Sequence, residues 1–331
     1  MEKLQSSPLV SVIIVNFNGK KWLDKCLYSL RHQTYHNLEV LLIDNDSSDA
    51  SPEYVKKKHP YVRVFTKKNE GYGAACNLGA QKARGKFLMF FNEDMYVESG
   101  FVGRFMEYFF GLTDPDKVGT IGCRIDNYDK TRYYSFDHFG YSVDFLGQPA
   151  PNNQSNSIFY NSGCPFFIAK DTFIKVKGFC PNIFLYSEDI DLCWRLNLFG
   201  YRHYFIKNLA IYHKGGGVIG GFSPKKIAYY FTGDINTILN NYSALTLLIV
   251  LPLFFVYYSF ILLYFVLTFQ SEYIKSLSGA VSVILKHKLK PMLEFRTFVQ
   301  KNRVISDYQI IFRISMIPSR FKNIYFKNYA K

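Results

Sequence analysis

Val10-Ser11-Val12-Ile13-Ile14-Val15-Asn16-Phe17-Asn18 is the stretch that decides the fold. It is a β-branched run that ends in the turn signal Asn16-Phe17-Asn18-Gly19, so it reads as a strand followed by a tight connection. Beyond it, Lys20 to Gln33 carries Trp22, Leu23, Cys26, Leu27 and Leu30 at helical spacing. Leu38 to Ile43 is a second strand, and Asp44-Asn45-Asp46-Ser47-Ser48-Asp49 is a loop able to cap the next helix, which runs into Lys56-Lys57-Lys58. Val62 to Phe65 reads as a third strand, Gly71 to Arg84 as a Gly-led helix and Lys86 to Phe91 as a fourth strand. Strands alternating with helices predict an α/β fold with a mostly parallel sheet and right-handed crossovers. Continuously apolar runs such as Val12-Ile13-Ile14-Val15 and Leu41-Leu42-Ile43 fit a sheet covered on both faces.

In such a sheet ligands bind at the carboxyl ends of the strands. Asn16, Asn18, Asp44, Asn45 and the triplet Asn92-Glu93-Asp94 are expected there, all polar and several able to contact a nucleotide. After Gly111 the alternation becomes less regular, and Cys123 to Asn161 is expected to form loops and short strands that shape an acceptor site.

The chain has 331 residues, more than one compact domain usually uses, with 18% aromatic residues to fill a core. Its net charge is +14, and Lys286 to Lys331 holds 11 Lys and Arg against Glu294 and Asp307. A basic stretch of this kind suits an anionic lipid surface or nucleic acid. Lipid is favoured because Ala244 to Phe269 contains no charged residue and, as a helix, is long enough to cross a bilayer of about 30 Å. Pro252 is a point where that segment can kink or break. A single crossing would separate the basic tail from the N-terminal domain; a hairpin at Pro252, or a second short pass near Ala280 to Leu285, would return it. The expected organisation is a tail over 1–8, an α/β domain over 9–225, a linker over 226–243, a transmembrane or re-entrant helix over 244–269 and a basic membrane-proximal tail over 270–331. Nothing at the N-terminus reads as a signal peptide, and the six cysteines lack metal-type spacing, which predicts reduced core thiols and a cytoplasmic catalytic domain. Oligomeric state has no signature in the sequence.

Asp94 follows a buried strand, where a carboxylate can hold Mg²⁺ or Mn²⁺ against phosphate oxygens. A solvated strand-end turn is the structural alternative. Asp189 sits in Tyr186-Ser187-Glu188-Asp189-Ile190-Asp191-Leu192, where Ser187 reads as an N-cap and the acids suit a first helical turn. One of these acids can serve as general base toward a hydroxyl; Asp189 is preferred, and Asp191, two positions on, faces a different side. His213 ends an apolar pair before Lys214-Gly215-Gly216-Gly217 and can ligate the metal or contact phosphate. The glycines of Asn69-Glu70-Gly71-Tyr72-Gly73 admit either close approach by a nucleotide or close packing of a helix on the sheet.

Taken in order, these segments resemble glycosyltransferase family 2, inverting enzymes of GT-A fold, and its rhamnosyltransferase-like branch in particular. The resemblance covers residues 8–217. It implies that Asp44 contacts the base of a nucleotide diphosphate sugar and that the end of the first strand, Val15 to Asn18, lines the same pocket, with Asn45, Asn69, Gly73, Asn92 and Glu93 on the donor side. It also implies that Asp94 binds the metal, with His213 near the diphosphate, and that Asp189 is the base. The first position of the usual D-x-D motif is Asn92, and no Arg-Trp pair of the processive members occurs, so transfer of a single sugar is expected. The expected acceptor is a lipid-linked or cell-envelope saccharide at the cytoplasmic face of the cell membrane, with no nucleic-acid partner. Polyprenyl phosphate as direct acceptor, and a non-catalytic scaffold, are the alternatives.

Overall fold

The computed structural model describes residues 7–130, 141–150, 158–215 and 223–318. Every residue of β1 (Val10–Asn16) is buried. After it come α1 (Lys20–Arg31), β2 (Leu38–Asp44), α2 (Ser51–Lys58), β3 (Arg63–Thr66), α3 (Tyr72–Lys82) and β4 (Phe87–Asn92). β1 pairs in parallel with β2 and β4, placing Val15 opposite both Ile43 and Asn92 and Asn16 opposite Asp44. The polar strand ends are thereby aligned along one edge. β1 sends Val10, Val12 and Ile14 to one face with α1, and Ile13 and Val15 to the other with α3. A sheet covered on both faces explains why its strands are apolar without alternation.

The second half contains β5 (Met95–Tyr96), α4 (Phe101–Phe110), β6 (Val118–Asn127), β7 (Ser142–Val143), β8 (Pro149–Ala150), β9 (Phe166–Ala169), α5 (Lys170–Lys175), α6 (Glu188–Leu198) and β10 (Arg202–His213). The large sheet runs β3-β2-β1-β4-β9-β6-β10-β5. Its second half is mixed: β9 is antiparallel to β4 and β6, and β5 is antiparallel to β10. Of the region expected to shape an acceptor site, 131–140 and 151–157 lie outside the described residues. All six cysteines are free and buried, as their spacing predicts.

The C-terminal third departs from the expectation. The stretch 226–243, read as a linker, is α7 (Pro224–Asn241), with Ile227, Phe231, Ile235 and Ile238 buried in a core shared with α6. Its polar Asp234, Asn236, Thr237, Asn240 and Asn241 make it look like a linker in sequence, yet all five are buried. α8 (Ala244–Leu267) runs unbroken through Pro252. The chain turns at Thr268–Gln270 rather than at the proline, enters α9 (Ser271–Val283), and continues through a wide turn over Ile284–Lys288 into α10 (Leu289–Asn302) and α11 (Asp307–Ile311). The described part of the basic tail is thus packed helix. Arg296 Nη1 donates to Tyr242 O at 2.6 Å, and Arg313 Nη1 to Asn197 Oδ1 at 2.9 Å.

Candidate active site

The loops after β1 and β2 lock into one network at the carboxyl edge. Asn16 Nδ2 donates to Asp44 Oδ1 at 2.7 Å and to Ser47 Oγ at 3.0 Å, while Asp44 Oδ2 accepts the Ser47 N–H at 3.1 Å. Asn18, at φ 56°, adopts the left-handed conformation that asparagine tolerates well. There its N–H donates to Ser47 Oγ at 2.9 Å and its Oδ1 accepts the Ser48 N–H at 2.8 Å. Asn45 Nδ2 donates to Asn69 Oδ1 at 3.0 Å, which also accepts the Gly71 N–H at 3.1 Å. Val15, Asn16, Asn18, Asp44, Asn45 and Asn69 are therefore brought together. Asn16 Oδ1 and Asn45 Oδ1 remain buried without a hydrogen bond.

For the glycines the structure gives the packing reading. Gly71 has φ 102°, and a Cβ there would collide with the backbone of Phe184. Gly73 is buried, and its Cβ would lie 2.9 Å from Phe179 Cβ.

The pairing of β5 with β10 puts His213 opposite Met95. His213 Nε2 consequently lies 3.0 Å from Asp94 Oδ1, and the Lys214 N–H donates to Asp94 O at 3.1 Å. The two residues expected at the metal are in contact although 119 positions separate them in the chain (213 − 94). Among the described residues no group of three or more His, Cys, Asp or Glu could enclose a metal. Burial, and then the Asp94 charge, push Glu93 up to about 8, against an opposing hydrogen bond from the Phe17 backbone. Asn92 Oδ1 is turned elsewhere and accepts from Cys164 Sγ at 3.3 Å. Gly216 and Gly217, which follow His213 in the glycine run, lie outside the described residues.

Cys164 belongs to a connection that sequence reading missed. Its neighbour Gly163 donates its N–H to Asp189 Oδ2 at 2.8 Å, and Tyr72 OH donates to Gly163 O at 3.3 Å. Asn92, Cys164, Gly163 and Asp189 thus form one path between the two acidic clusters. The only sequence sign of it was a cysteine beside a glycine and a proline, read as a core thiol.

The second cluster divides sharply. Asp191 is wholly buried, pairs with Arg195 Nη2 at 2.8 Å and accepts from Asn240 Nδ2 at 2.8 Å and Asn241 Nδ2 at 3.1 Å. Asp189 is half-buried; its Oδ1 accepts the Ile190 N–H at 2.8 Å, and each oxygen keeps a lone pair beyond its one backbone bond. Ser187 is at the N-cap position, but its hydroxyl does not cap the helix; it donates to Asp234 Oδ1 at 3.0 Å. Burial raises the Asp189 and Glu188 carboxyls, and the Asp189 charge raises Glu188 further, while backbone N–H bonds oppose the rise at Asp189. Asp189 accepts two backbone N–H bonds, whereas Glu188 Oε2 has no partner, so Glu188 holds the proton and Asp189 the charge.

The sequence profile of "Glycosyl transferase family 2" matches residues 11–193, over half of the chain. The chain belongs to glycosyltransferase family 2. Among its relatives, the cholesterol galactosyltransferase of Borreliella burgdorferi is 34% identical over 102 residues, 30% of this chain and 28% of that protein. In the curated relatives compared, the match spans well under half of each protein's length. The crystal structure of GalNAc-T7 with UDP, GalNAc and Mn²⁺ superposes with a TM-score of 0.57 at 19% identity, covering 71% of this chain and 48% of that one. The S. aureus TarS 1-349 structure in complex with UDP-GlcNAc gives 0.54 at 16% identity, covering 88% and 91%. At these identities the superpositions establish the fold: the mixed α/β sheet with flanking helices is of GT-A type.

Proposed function

We propose that this family 2 glycosyltransferase moves a single sugar, with inversion, from a nucleotide diphosphate sugar to a lipid-linked or cell-envelope saccharide. The catalytic domain works on the cytoplasmic side of the cell membrane, and the chain resembles the rhamnosyltransferase-like branch. The observation that carries the reading is the Asp94–His213 contact at the carboxyl edge, joined through Asn92, Cys164 and Gly163 to Asp189. The solved neighbours with UDP, UDP-GlcNAc and Mn²⁺ support a nucleotide-sugar donor and a divalent ion.

The donor set fits such an ion. Asp94 Oδ1 and His213 Nε2, 3.0 Å apart at the carboxyl edge, are an oxygen and an imidazole donor that would hold the ion beside the diphosphate. A bound divalent ion would supply neutralisation of the charge on the departing diphosphate. The Asn16–Asp44–Ser47 network holds the donor end: Asp44 faces the base, and Val15, Asn18, Asn45 and Asn69 line the nucleotide. Asp189 accepts the proton of the acceptor hydroxyl, whose oxygen attacks the anomeric carbon opposite the departing diphosphate. Its two backbone bonds fix the carboxylate before the substrate arrives. Transfer stops at one sugar: the Trp194-Arg195 pair, the reverse of the processive motif, is core, with both side chains fully buried.

The test incubates the purified chain with a panel of nucleotide sugars and Mn²⁺ or Mg²⁺, and reads release of nucleotide diphosphate. Metal-dependent release from one donor, abolished in Asp189→Asn and Asp94→Ala, is expected. Full activity in chelator, or in Asp189→Asn, refutes the mechanism. Polyprenyl phosphate run beside a polyprenyl-diphosphate saccharide separates the two acceptor classes.

A further inference from the structure

We infer that α8 lies flat on a lipid leaflet, seating the active site against the membrane surface, and does not cross the bilayer. The inference deepens the membrane-associated reading above and rests on it.

Two faces of α8 carry the argument. Leu247, Val250, Phe254, Tyr258, Ile261 and Phe265 are buried against the protein along the whole helix. On the opposite side Leu245, Leu248, Ile249, Val256, Phe260 and Leu263 are 50–76% exposed. A helix lying on a soluble protein presents polar residues outward, whereas this one is apolar all round. An exposed apolar strip of that length needs an apolar occupant.

By length and composition α8 could cross a membrane, since 24 residues rise about 36 Å. Its contacts exclude that. Tyr258, near the middle of the helix, donates to Asp234 Oδ2 at 2.9 Å, and Ser187, adjacent to Glu188 and Asp189, donates to Asp234 Oδ1 at 3.0 Å. If the middle of α8 sat at the bilayer centre, the start of α6 and its acids would be drawn into hydrocarbon, away from any water-soluble donor. The chain after α8 also returns to the same body. Ser276 of α9 donates to Pro224 O at 2.8 Å, and Asp307 Oδ2 accepts the Ser243 N–H at the start of α8 at 2.8 Å. Both ends of the helix are therefore tied to one side.

The charge on the segment after α9 names the partner. Lys286 and Lys290 are exposed beside exposed Leu285 and Leu289, and α8 carries no charge. Exposed lysines interleaved with exposed leucines, on the segment packed after α8, match an anionic headgroup layer over acyl chains.

The test uses the full chain in vesicles of phosphatidylcholine and phosphatidylglycerol. Leu245→Cys, Val256→Cys and Leu267→Cys, on the outer face, are nitroxide-labelled; the six native thiols are buried. All three labels are expected at one shallow depth, within about 5–10 Å of the headgroup boundary. Leu248→Asp with Phe260→Asp is expected to lower vesicle partition roughly tenfold or more while the melting temperature and nucleotide binding stay unchanged. A profile with Val256 about 15 Å deep and the two end labels at opposite surfaces overturns the inference in favour of a crossing. So does absence of lipid contact with a concentration-dependent dimer that the same double variant disrupts. Depth and flotation are independent of turnover, so a failed seating with intact release of nucleotide diphosphate leaves the proposed reaction standing, and the reverse result leaves the seating.

Discussion

The carboxyl edge of the sheet and the helical cap both bury carboxylates, and they treat them oppositely. In the cap, Asp191 is held by Arg195, Asn240 and Asn241; Asp234 by Ser187, Gln148 and Tyr258; Asp307 by Ser243, Thr246 and Arg303. At the edge, Asp189 accepts only two backbone N–H groups, Glu188 Oε2 has no partner, and Asp94 Oδ1 meets only the ring of His213. A carboxylate whose lone pairs are all engaged holds the fold together. One left with open lone pairs in a buried place is available for a substrate proton or a cation. Asp189 and Asp191 show both treatments within a single helical turn.

The largest expected effect breaks that pair apart. Asp189→Asn keeps the shape but can accept only one of the two backbone N–H bonds; it should lower kcat by roughly 10²–10⁴-fold, the usual contribution of a general base, with a fall of only a few degrees in melting temperature. Asp191→Asn should do the reverse, because Arg195 is left buried and unpaired at about 3–5 kcal/mol. Turnover with nucleotide diphosphate readout, beside urea unfolding, checks both. If Asp191→Asn kills turnover at full stability, the comparison is wrong.

The sequence made the edge legible and left the cap obscure, for physical reasons. A strand end is local: apolar run, then Asn16, Asp44 or Asn92, so the register that aligns them follows from the alternation. The choice between Asp189 and Asp191 is not local, since it depends on Asn240 and Asn241 about fifty positions later. Contact between Asp94 and His213 depends on β5, two residues long and without a sequence signature. α7 reads as a linker because its polar side chains point into the protein, and α8 reads as a crossing because its two faces do not differ in polarity. The hydrophobic pattern names an element but carries no information about what lies against it.

A smaller effect tests the open valence at Asp94. His213→Ala should raise the Mn²⁺ concentration for half-maximal activity by roughly 10–100-fold, with much of kcat restored at saturating ion. Asp94→Ala should not be rescued. Equal metal curves for wild type and His213→Ala would move His213 to a purely structural contact.

Glu188 sharpens the comparison through pH. Its folded pKa is raised, by burial first and the Asp189 charge second, toward about 8. The stability it contributes is therefore full below its unfolded value of about 4.3 and is lost as pH rises through the folded value. Glu188→Gln should flatten the stability profile between about pH 5 and pH 8, so that the variant gains on the wild type as the pH rises. Chemical denaturation at the two pH values, wild type against variant, measures it; a parallel profile would mean that Glu188 ionises freely.

The smallest effect falls on the saturated side. Tyr258→Phe removes one of the hydrogen bonds to Asp234, and a bond to a charged group is worth about 1.5–3 kcal/mol. Ser187 and Gln148 still serve the carboxylate, so the loss should sit at the lower end of that range, read as a fall of a few degrees in melting temperature. Because Ser187 is anchored by the same aspartate, the start of α6 should stay in place and kcat should hold within about twofold. A kcat loss far beyond the stability loss would mean that Asp234 positions Asp189 as well as holding α8. The boundary between the two regions would then run through Ser187 rather than between Asp189 and Asp191.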